Sequence, residues 1–292
     1  MRIEFLGTGG ATTTPRPSCQ CRICVEARER GVPYSRTGPS LFVHGPDILI
    51  DTPEESNLQL NRAGIDRIAG CFYSHWHPDH TMGRRVWETR NIDLRGYPAE
   101  NQRTNIFLPA QVAQDFPERL GLQEHFDFMT RQGTVQVIEL QDGISVELSA
   151  VDITPFRLAE DYVYAFLLAD DQTKVLLAPD ELYGWSPEMA PLDLTNLDLA
   201  VLPMGVTEFD VFTGERLIHP EHRVLDLEMT FAQTLDVVRA LGARHTILTH
   251  IEEMEQLSFD DLKRLERSPE LSSLNITFAW DTMVADPIVP FG

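Results

Sequence analysis

Lysine is nearly absent from this chain of 292 residues. Lys174 and Lys263 are the only two, and with arginine the basic residues reach 24 against 45 acidic ones, a formal charge of −21. Such a surface repels polyanions, which argues against a groove for nucleic-acid polymers and fits an acid excess that keeps the protein in solution. A small phosphate ester is a separate case, because bound cations invert the local field. Long apolar runs are missing too: none approaches the roughly 18 residues of a membrane-spanning helix, so no membrane association is expected. The opening Met1-Arg2-Ile3-Glu4-Phe5-Leu6-Gly7 reads as a strand entering a glycine turn and not as a secretion signal, and a cytoplasmic location is expected. Cysteine is scarce. Three of the four crowd into Cys19-Gln20-Cys21-Arg22-Ile23-Cys24, which argues against a disulfide framework and reads as a metal knuckle. The fourth, Cys71, lies in an apolar stretch and is expected to be a buried small hydrophobe.

What is present is an ordinary core-forming composition, 42% hydrophobic with no repeat and no low-complexity tract, which excludes disorder. No linker divides the chain, so one domain over 1–292 is expected. Short β-rich runs recur at 2–6, 40–43, 47–50, 70–74, 104–108, 134–139, 144–149, 163–168, 173–178, 198–202, 245–249 and 275–279. Helical spacing appears at 22–30, 54–63, 109–119, 258–267 and most clearly 228–241, closed by Gly242. Two strand-rich blocks with interspersed helices predict an α/β chain with two packed sheets and helices on both outer faces. The segment 205–227, which carries His219 and His222, has no regular pattern and reads as a lid or binding loop.

The chemistry concentrates in Ser74-His75-Trp76-His77-Pro78-Asp79-His80. Three of the chain's nine histidines and one carboxylate follow directly on a buried strand. A polar turn needs no such cluster. Imidazole nitrogen and carboxylate oxygen are the donors that zinc, manganese and iron accept, and a strand-end loop can aim alternate side chains at two ions.

With His75, His77, Asp79 and His80 in the pattern His-x-His-x-Asp-His, the chain resembles the metallo-β-lactamase superfamily. That resemblance implies an αββα sandwich of two mixed sheets. It also implies a first divalent metal (zinc or manganese) on His75 and His77 and a second on Asp79 and His80. Asp180 in Ala178-Pro179-Asp180 would bridge the two, and His250 in Leu248-Thr249-His250 would complete the second site. The block Leu6-Gly7-Thr8-Gly9-Gly10, the cysteine cluster, Ile50-Asp51 and Trp280-Asp281-Thr282-Met283 resemble the PhnP-like branch of cyclic-phosphate phosphodiesterases. PqqB-like proteins share the cysteine cluster without an intact histidine motif.

Three positions depart from the PhnP-like pattern. No histidine occurs between Phe126 and Ile218 to serve as third imidazole of the first site; Glu160 is the expected substitute, with Asp161 second, and a solvated Glu160 beside an open position is the alternative. Glu228 stands where that branch has a catalytic histidine, at the start of the 228–241 helix, as proton donor, ligand or plain helix-capping acid. His219 or His222 could instead fold over the site to supply the imidazole. Glu253 replaces the histidine that is the fourth ligand of a structural zinc on Cys19, Cys21 and Cys24, the alternative there being free thiols.

The expected mechanism is hydrolysis by a hydroxide held between two ions roughly 3.5–4 Å apart, with Asp79 in the reacting centre and Glu228, His219 or His222 as acid to the leaving group. The expected substrate is a small phosphodiester, with a cyclic phosphate or a small nucleotide as the candidates. An ester, lactone or thioester is the second reading, and a PqqB-like binding or carrier role without turnover the third. Arg84, Arg85 and Arg157 are the cations available for a phosphate. Beyond a small-molecule substrate, a second copy of the chain is the one partner left open.

Overall fold

The computed structural model describes residues 1–289. Fourteen strands fall into two seven-stranded sheets among these residues. The first is built from β1 (Arg2–Gly7), β2 (Ser40–His44), β3 (Ile48–Ile50), β4 (Gly70–Phe72), β5 (Thr104–Pro109) and β6 (Val135–Leu140). The second takes β7 (Val146–Leu148), β8 (Val151–Arg157), β9 (Tyr164–Ala169), β10 (Lys174–Leu177), β11 (Leu199–Pro203), β12 (Thr246–Thr249) and β13 (Ile276–Phe278). The last strand, β14 (Val284–Ala285), returns to pair with β1, giving the orders β14-β1-β2-β3-β4-β5-β6 and β13-β12-β11-β10-β9-β8-β7.

Each sheet is antiparallel at one end and parallel at the other. β3, β4, β5 and β6 run parallel in the first, and β10, β11, β12 and β13 in the second. The pleat explains how the sheets meet. In β9, Tyr164, Phe166 and Leu168 join the core shared with the first sheet, while Ala165 and Leu167 face the other way; Leu199/Val201 and Ala200/Leu202 of β11 divide likewise. Phe72 of β4 stacks on Phe107 at 4.4 Å and meets Phe166 of the opposite sheet edge-on at 5.6 Å.

Helices cover both outer faces. On the first sheet lie α2 (Ser56–Ala63), α4 (Val86–Asn91), α5 (Ala110–Asp115) and α6 (Leu122–Arg131), which bury Leu60, Trp87, Val112 and Phe126. On the second lie α7 (Phe231–Leu241), α8 (Phe259–Glu266) and α9 (Pro269–Ser273), burying Leu235, Val238, Leu262 and Leu271. The short α3 (Pro78–Thr81) follows β4, and α1 (Arg22–Arg30) follows the cysteines. This is the αββα sandwich expected. No helix among the described residues is long and apolar enough to cross a membrane.

The differences from the sequence reading have local causes. β8 was not expected: Asp152 and Pro155 interrupt the apolar pattern, yet its backbone pairs with both β7 and β9. α7 begins at Phe231 and not at residue 228, because Thr230 and Gln233 form a reciprocal capping box that fixes the first turn. Glu228 therefore lies in the preceding loop. The expected 109–119 helix stops at Asp115 and tightens into a 3₁₀ turn at Phe116–Glu118. α6 lay outside the expected helices although Leu122, Phe126 and Met129 carry the spacing of one buried face.

Phe72 joins the sheets, so Phe72→Ala is expected to lower unfolding free energy by about 3–5 kcal/mol, read as a denaturant midpoint shift. A loss below about 1 kcal/mol would mean that the sheets do not close on this residue.

Candidate metal centre and its pocket

The parallel ends of the two sheets point the same way, and the segments leaving β3, β4, β10 and β12 meet there. Open α/β sheets bind ligands at such carboxyl ends. Asp51, the first residue past β3, has a left-handed backbone (φ 62°) that turns its carboxylate inward, where it is buried. Its Oδ1 accepts the Ser74 N–H at 2.7 Å, and its Oδ2 accepts the Ser74 hydroxyl at 2.6 Å. His80 Nδ1 lies 2.8 Å from Oδ2, and Ser74 Oγ lies 3.0 Å from His75 Nδ1.

Proton counting fixes both rings. A carboxylate only accepts, so His80 Nδ1 is the donor to it. Ser74 has one proton and gives it to Asp51, so its oxygen accepts from His75 Nδ1. Each ring thus turns Nε2 toward the centre. Next, Pro78 opens α3 at its first position with His77 as the residue before it, which places Asp79 in the first turn.

From the second sheet, the chain leaves β10 through Ala178-Pro179 to Asp180. His250 follows β12 with φ 52°, and the next residue is tied back by Ile251 N–H to Thr8 O at 2.8 Å. Gly10 presses on this ring so closely that a Cβ would lie 2.5 Å from His250 Cε1. The N-terminal glycines therefore back the histidine. Asp281 holds that loop by accepting from the Thr8 and Thr37 backbone and hydroxyl groups, with Arg62 at 3.0 Å.

Two sets of donor atoms converge: His75, His77 and Asp180, and Asp79, His80 and His250. Asp180 stands between them, with Oδ2 at 2.9 Å from His75 Nε2 and Oδ1 at 3.2 Å from His250 Nε2. His80 Nε2 lies 3.3 Å from Asp79 Oδ2. The buried Nε2 atoms of His75, His80 and His250 have no hydrogen bond of proper geometry among the described residues, although carboxylate oxygens stand 2.9, 3.3 and 3.2 Å away. Three buried orphan nitrogens with two carboxylates fit divalent cations such as zinc or manganese.

The charges agree. Burial alone would raise the Asp79 and Asp180 carboxyls, yet the surrounding imidazoles hold both far below the usual range. Burial and the neighbouring His75 push His77 down to about 4. Burial also opposes charge on His250, but Asp180 outweighs it and brings the ring up to about 9. A cation binding here displaces protons.

Several expectations need correction. Glu160 is not among the converging donors; its carbonyl instead closes a turn by accepting the Val163 N–H at 3.1 Å. His219 and His222 are exposed, and each accepts an N–H two residues on, from Glu221 and Val224, so neither is turned into the centre. Arg84 is buried and donates to the Thr81 and Leu120 carbonyls, and Arg157 pairs with Asp142 at 2.7 Å. Neither is free to meet a phosphate. Trp76 is held between Arg119, whose guanidinium stands 4.6 Å over the ring, and His77.

Beside Asp180 and His250 opens a cavity of about 210 Å³. Glu181, Glu228, Glu252 and Glu255 line it, together with the apolar Val206, Val224, Met229 and Met254, and among the described residues no lysine or arginine does. Glu181 carries no signal in the sequence beyond its place directly after Asp180. Burial, then a hydrogen bond to Glu228 and that residue's charge, push Glu181 up to about 10, so Glu181 is protonated at neutral pH. The Met229 N–H fixes Glu181 at 3.1 Å.

The cysteine cluster assembles as a separate group. Glu253 Oε1 lies 2.9, 3.2 and 3.6 Å from the sulfurs of Cys21, Cys24 and Cys19, and Arg16 pairs with Oε2 at 2.9 Å. It ties the N-terminal loop to the segment that follows His250. Cys71 is fully buried, and burial raises its thiol.

A doubly sheeted sandwich with six convergent donors at one edge is the architecture of metal-dependent hydrolases. The family profile described as Beta-lactamase superfamily domain matches residues 44–251, and the chain belongs to that superfamily. A relative from Porphyromonas gingivalis, named octanoyltransferase, is 36% identical over 277 residues. That match takes in 91% of this chain, which spans about half the length (49%) of the relative. A diphosphatase of the PhnP family superposes with TM-score 0.71 at 20% identity, over 98% of this chain and 97% of its own. The zinc-bound PqqB of Methylobacterium extorquens superposes with TM-score 0.69 at 15% identity, over 98% and 100%. At such identities these likenesses establish the fold.

Asp51 touches no donor space itself yet orients two rings. Asp51→Ala is expected to weaken metal affinity about 10–100-fold, measured by competition with a chromophoric chelator. An unchanged affinity would show that the rings hold their tautomers without it.

Proposed function

We propose that the chain is a dinuclear metal-dependent hydrolase acting on a small phosphodiester. The observation that carries the hydrolase reading is the meeting of two donor groups on Asp180 at the mouth of a pocket that contains a carboxylic acid pair. His75, His77 and Asp180 would hold one ion, and Asp79, His80 and His250, with Asp180 between, the other. Such ions supply Lewis-acid polarisation of substrate and acidification of water.

The chain's own groups do the rest. Asp51 and Ser74 keep the ring protons on the far side of His80 and His75. Glu181 holds a proton beside Glu228, which would pass it to a departing alkoxide, and the Met229 and Tyr183 N–H groups keep Glu181 in place. Glu253 and the three cysteines would hold a structural zinc that fixes the loop behind His250. The phosphodiester preference rests on the resemblance of the N-terminal glycine block, the cysteine cluster and the histidine motif to the PhnP-like branch. A carboxylic ester, lactone or thioester is the second reading. It is favoured by a cavity without cations, by its apolar side, and by the acyl-transfer name of the 36%-identical relative.

Elemental analysis is expected to give about three ions per chain, two at the histidines and one at the cysteines. Turnover of bis-p-nitrophenyl phosphate is to be abolished by His77→Ala and reduced about 10²–10⁴-fold in kcat by Glu228→Gln. Hydrolysis confined to an ester and thioester panel selects the second reading. A fully loaded protein that turns over neither panel is a binding protein of the PqqB kind.

A further inference from the structure

The first donor group has three side chains, His75, His77 and the shared Asp180, and the residue beside it is an aromatic alcohol. The Tyr162 ring lies 5.4 Å from the His77 ring and 6.2 Å from the His75 ring, centroid to centroid, and 6.3 Å from Trp76. It is the third residue of the turn that the Val163 N–H closes on the Glu160 carbonyl, two positions beyond Glu160.

The hydroxyls of the three buried tyrosines are paired, whereas those of the half-buried Tyr162 and Tyr183 have no hydrogen bond among the described residues. The Tyr73 hydroxyl is paired with Thr52 and Trp87, that of Tyr164 with Asp142 and the Gln111 N–H, and that of Tyr34 with Asp260. Burial first, then the charges of Glu160, Asp180, Glu228 and Glu181, raise the half-buried Tyr162 phenol, and none of these carboxylates is hydrogen-bonded to it. A phenol with an ordinary pKa of about 10 is protonated at neutral pH, so this O–H is an available donor. Its position complements the pocket. Glu181 and Glu228 line the cavity on the His250 side of Asp180, whereas Tyr162 stands on the His75 and His77 side and does not line it.

We propose that Tyr162 is a catalytic residue that touches substrate: its O–H donates a hydrogen bond to the phosphoryl or carbonyl oxygen on which negative charge builds, while Glu228 serves the leaving group across Asp180. No proton is transferred from the phenol. The hydrogen bond strengthens as charge develops, so the contact acts mainly on the rate. This assignment rests on the hydrolase reading above.

The test compares wild-type protein with Tyr162→Phe, which keeps the ring and its packing. Metal content by elemental analysis and the thermal midpoint are expected to stay at wild-type values. The affinity of the metal-loaded protein for inorganic phosphate, by calorimetry, is expected to fall about tenfold. On whichever panel the wild type hydrolyses, kcat is to fall about 10²-fold with KM nearly unchanged.

Loss of metal in Tyr162→Phe makes the phenol a ligand and overturns the proposal; so does wild-type phosphate affinity together with wild-type kcat, which leaves the ring a packing group. If Tyr162→Phe does not fold, 3-fluorotyrosine at this position, a stronger donor, is to tighten phosphate binding, and unchanged binding refutes the assignment. A wild-type protein that takes up no metal at the histidines sinks the hydrolase reading and this one with it. A metal-loaded, active wild type whose variant behaves identically sinks this one alone.

Discussion

One buried carboxylate organises the centre. Asp51 has no partner of formal positive charge except the His80 ring; its oxygens are otherwise satisfied by the Ser74 N–H and hydroxyl. Those three hydrogen bonds decide where protons sit on two rings, and hence which nitrogens face the shared space. In a low-dielectric interior such a network is stable only when every member is paired. The members come from separate strands, so the parallel register of β3 and β4 is the condition for the site. A shift of one residue between these strands would turn either Asp51 or the start of the histidine loop to the wrong face.

The second sheet supplies the remaining donors by the same device, a parallel strand end. Asp180 and His250 arrive from β10 and β12, and both sheets present their carboxyl ends at one edge of the sandwich. The cysteine group and Asp281 then work from behind. They bind the glycine-rich loop, and Gly10 in turn presses on His250. Structural elements that look unrelated to chemistry in the sequence converge on the position of one imidazole.

Glutamates make the surroundings of this centre acidic: Glu181 and Glu228 line the cavity, and Glu253 stands among the three sulfurs. Burial first, then the hydrogen bond and charge of Glu228, keep Glu181 protonated. An arrangement that stores a proton beside cation-binding donors suits acid assistance to a leaving group. The same acidity, without a lysine or arginine in the cavity, disfavours a substrate with much uncompensated negative charge.

Strand runs, the two-sheet class and the histidine cluster could be read from the chain alone, because alternation and donor clustering are local patterns; Asp180 and His250 followed only from the resemblance to the superfamily, since a lone acid or histidine at a strand end is ordinary. β8 could not, since Asp152 and Pro155 obscure a strand that only pairing on both sides stabilises. Nor could the fate of the substitutes. Glu160 and the two loop histidines have the right chemistry and a plausible spacing, but side-chain direction in an irregular segment depends on backbone turns that sequence distance does not encode. Local chemistry thus determined which atoms are able to bind a cation. Which of them face one point, and that Glu181 and the Tyr162 ring stand beside them, was decided by the packing of two sheets, because contacts between segments a hundred residues apart depend on register and layer, not on order along the chain.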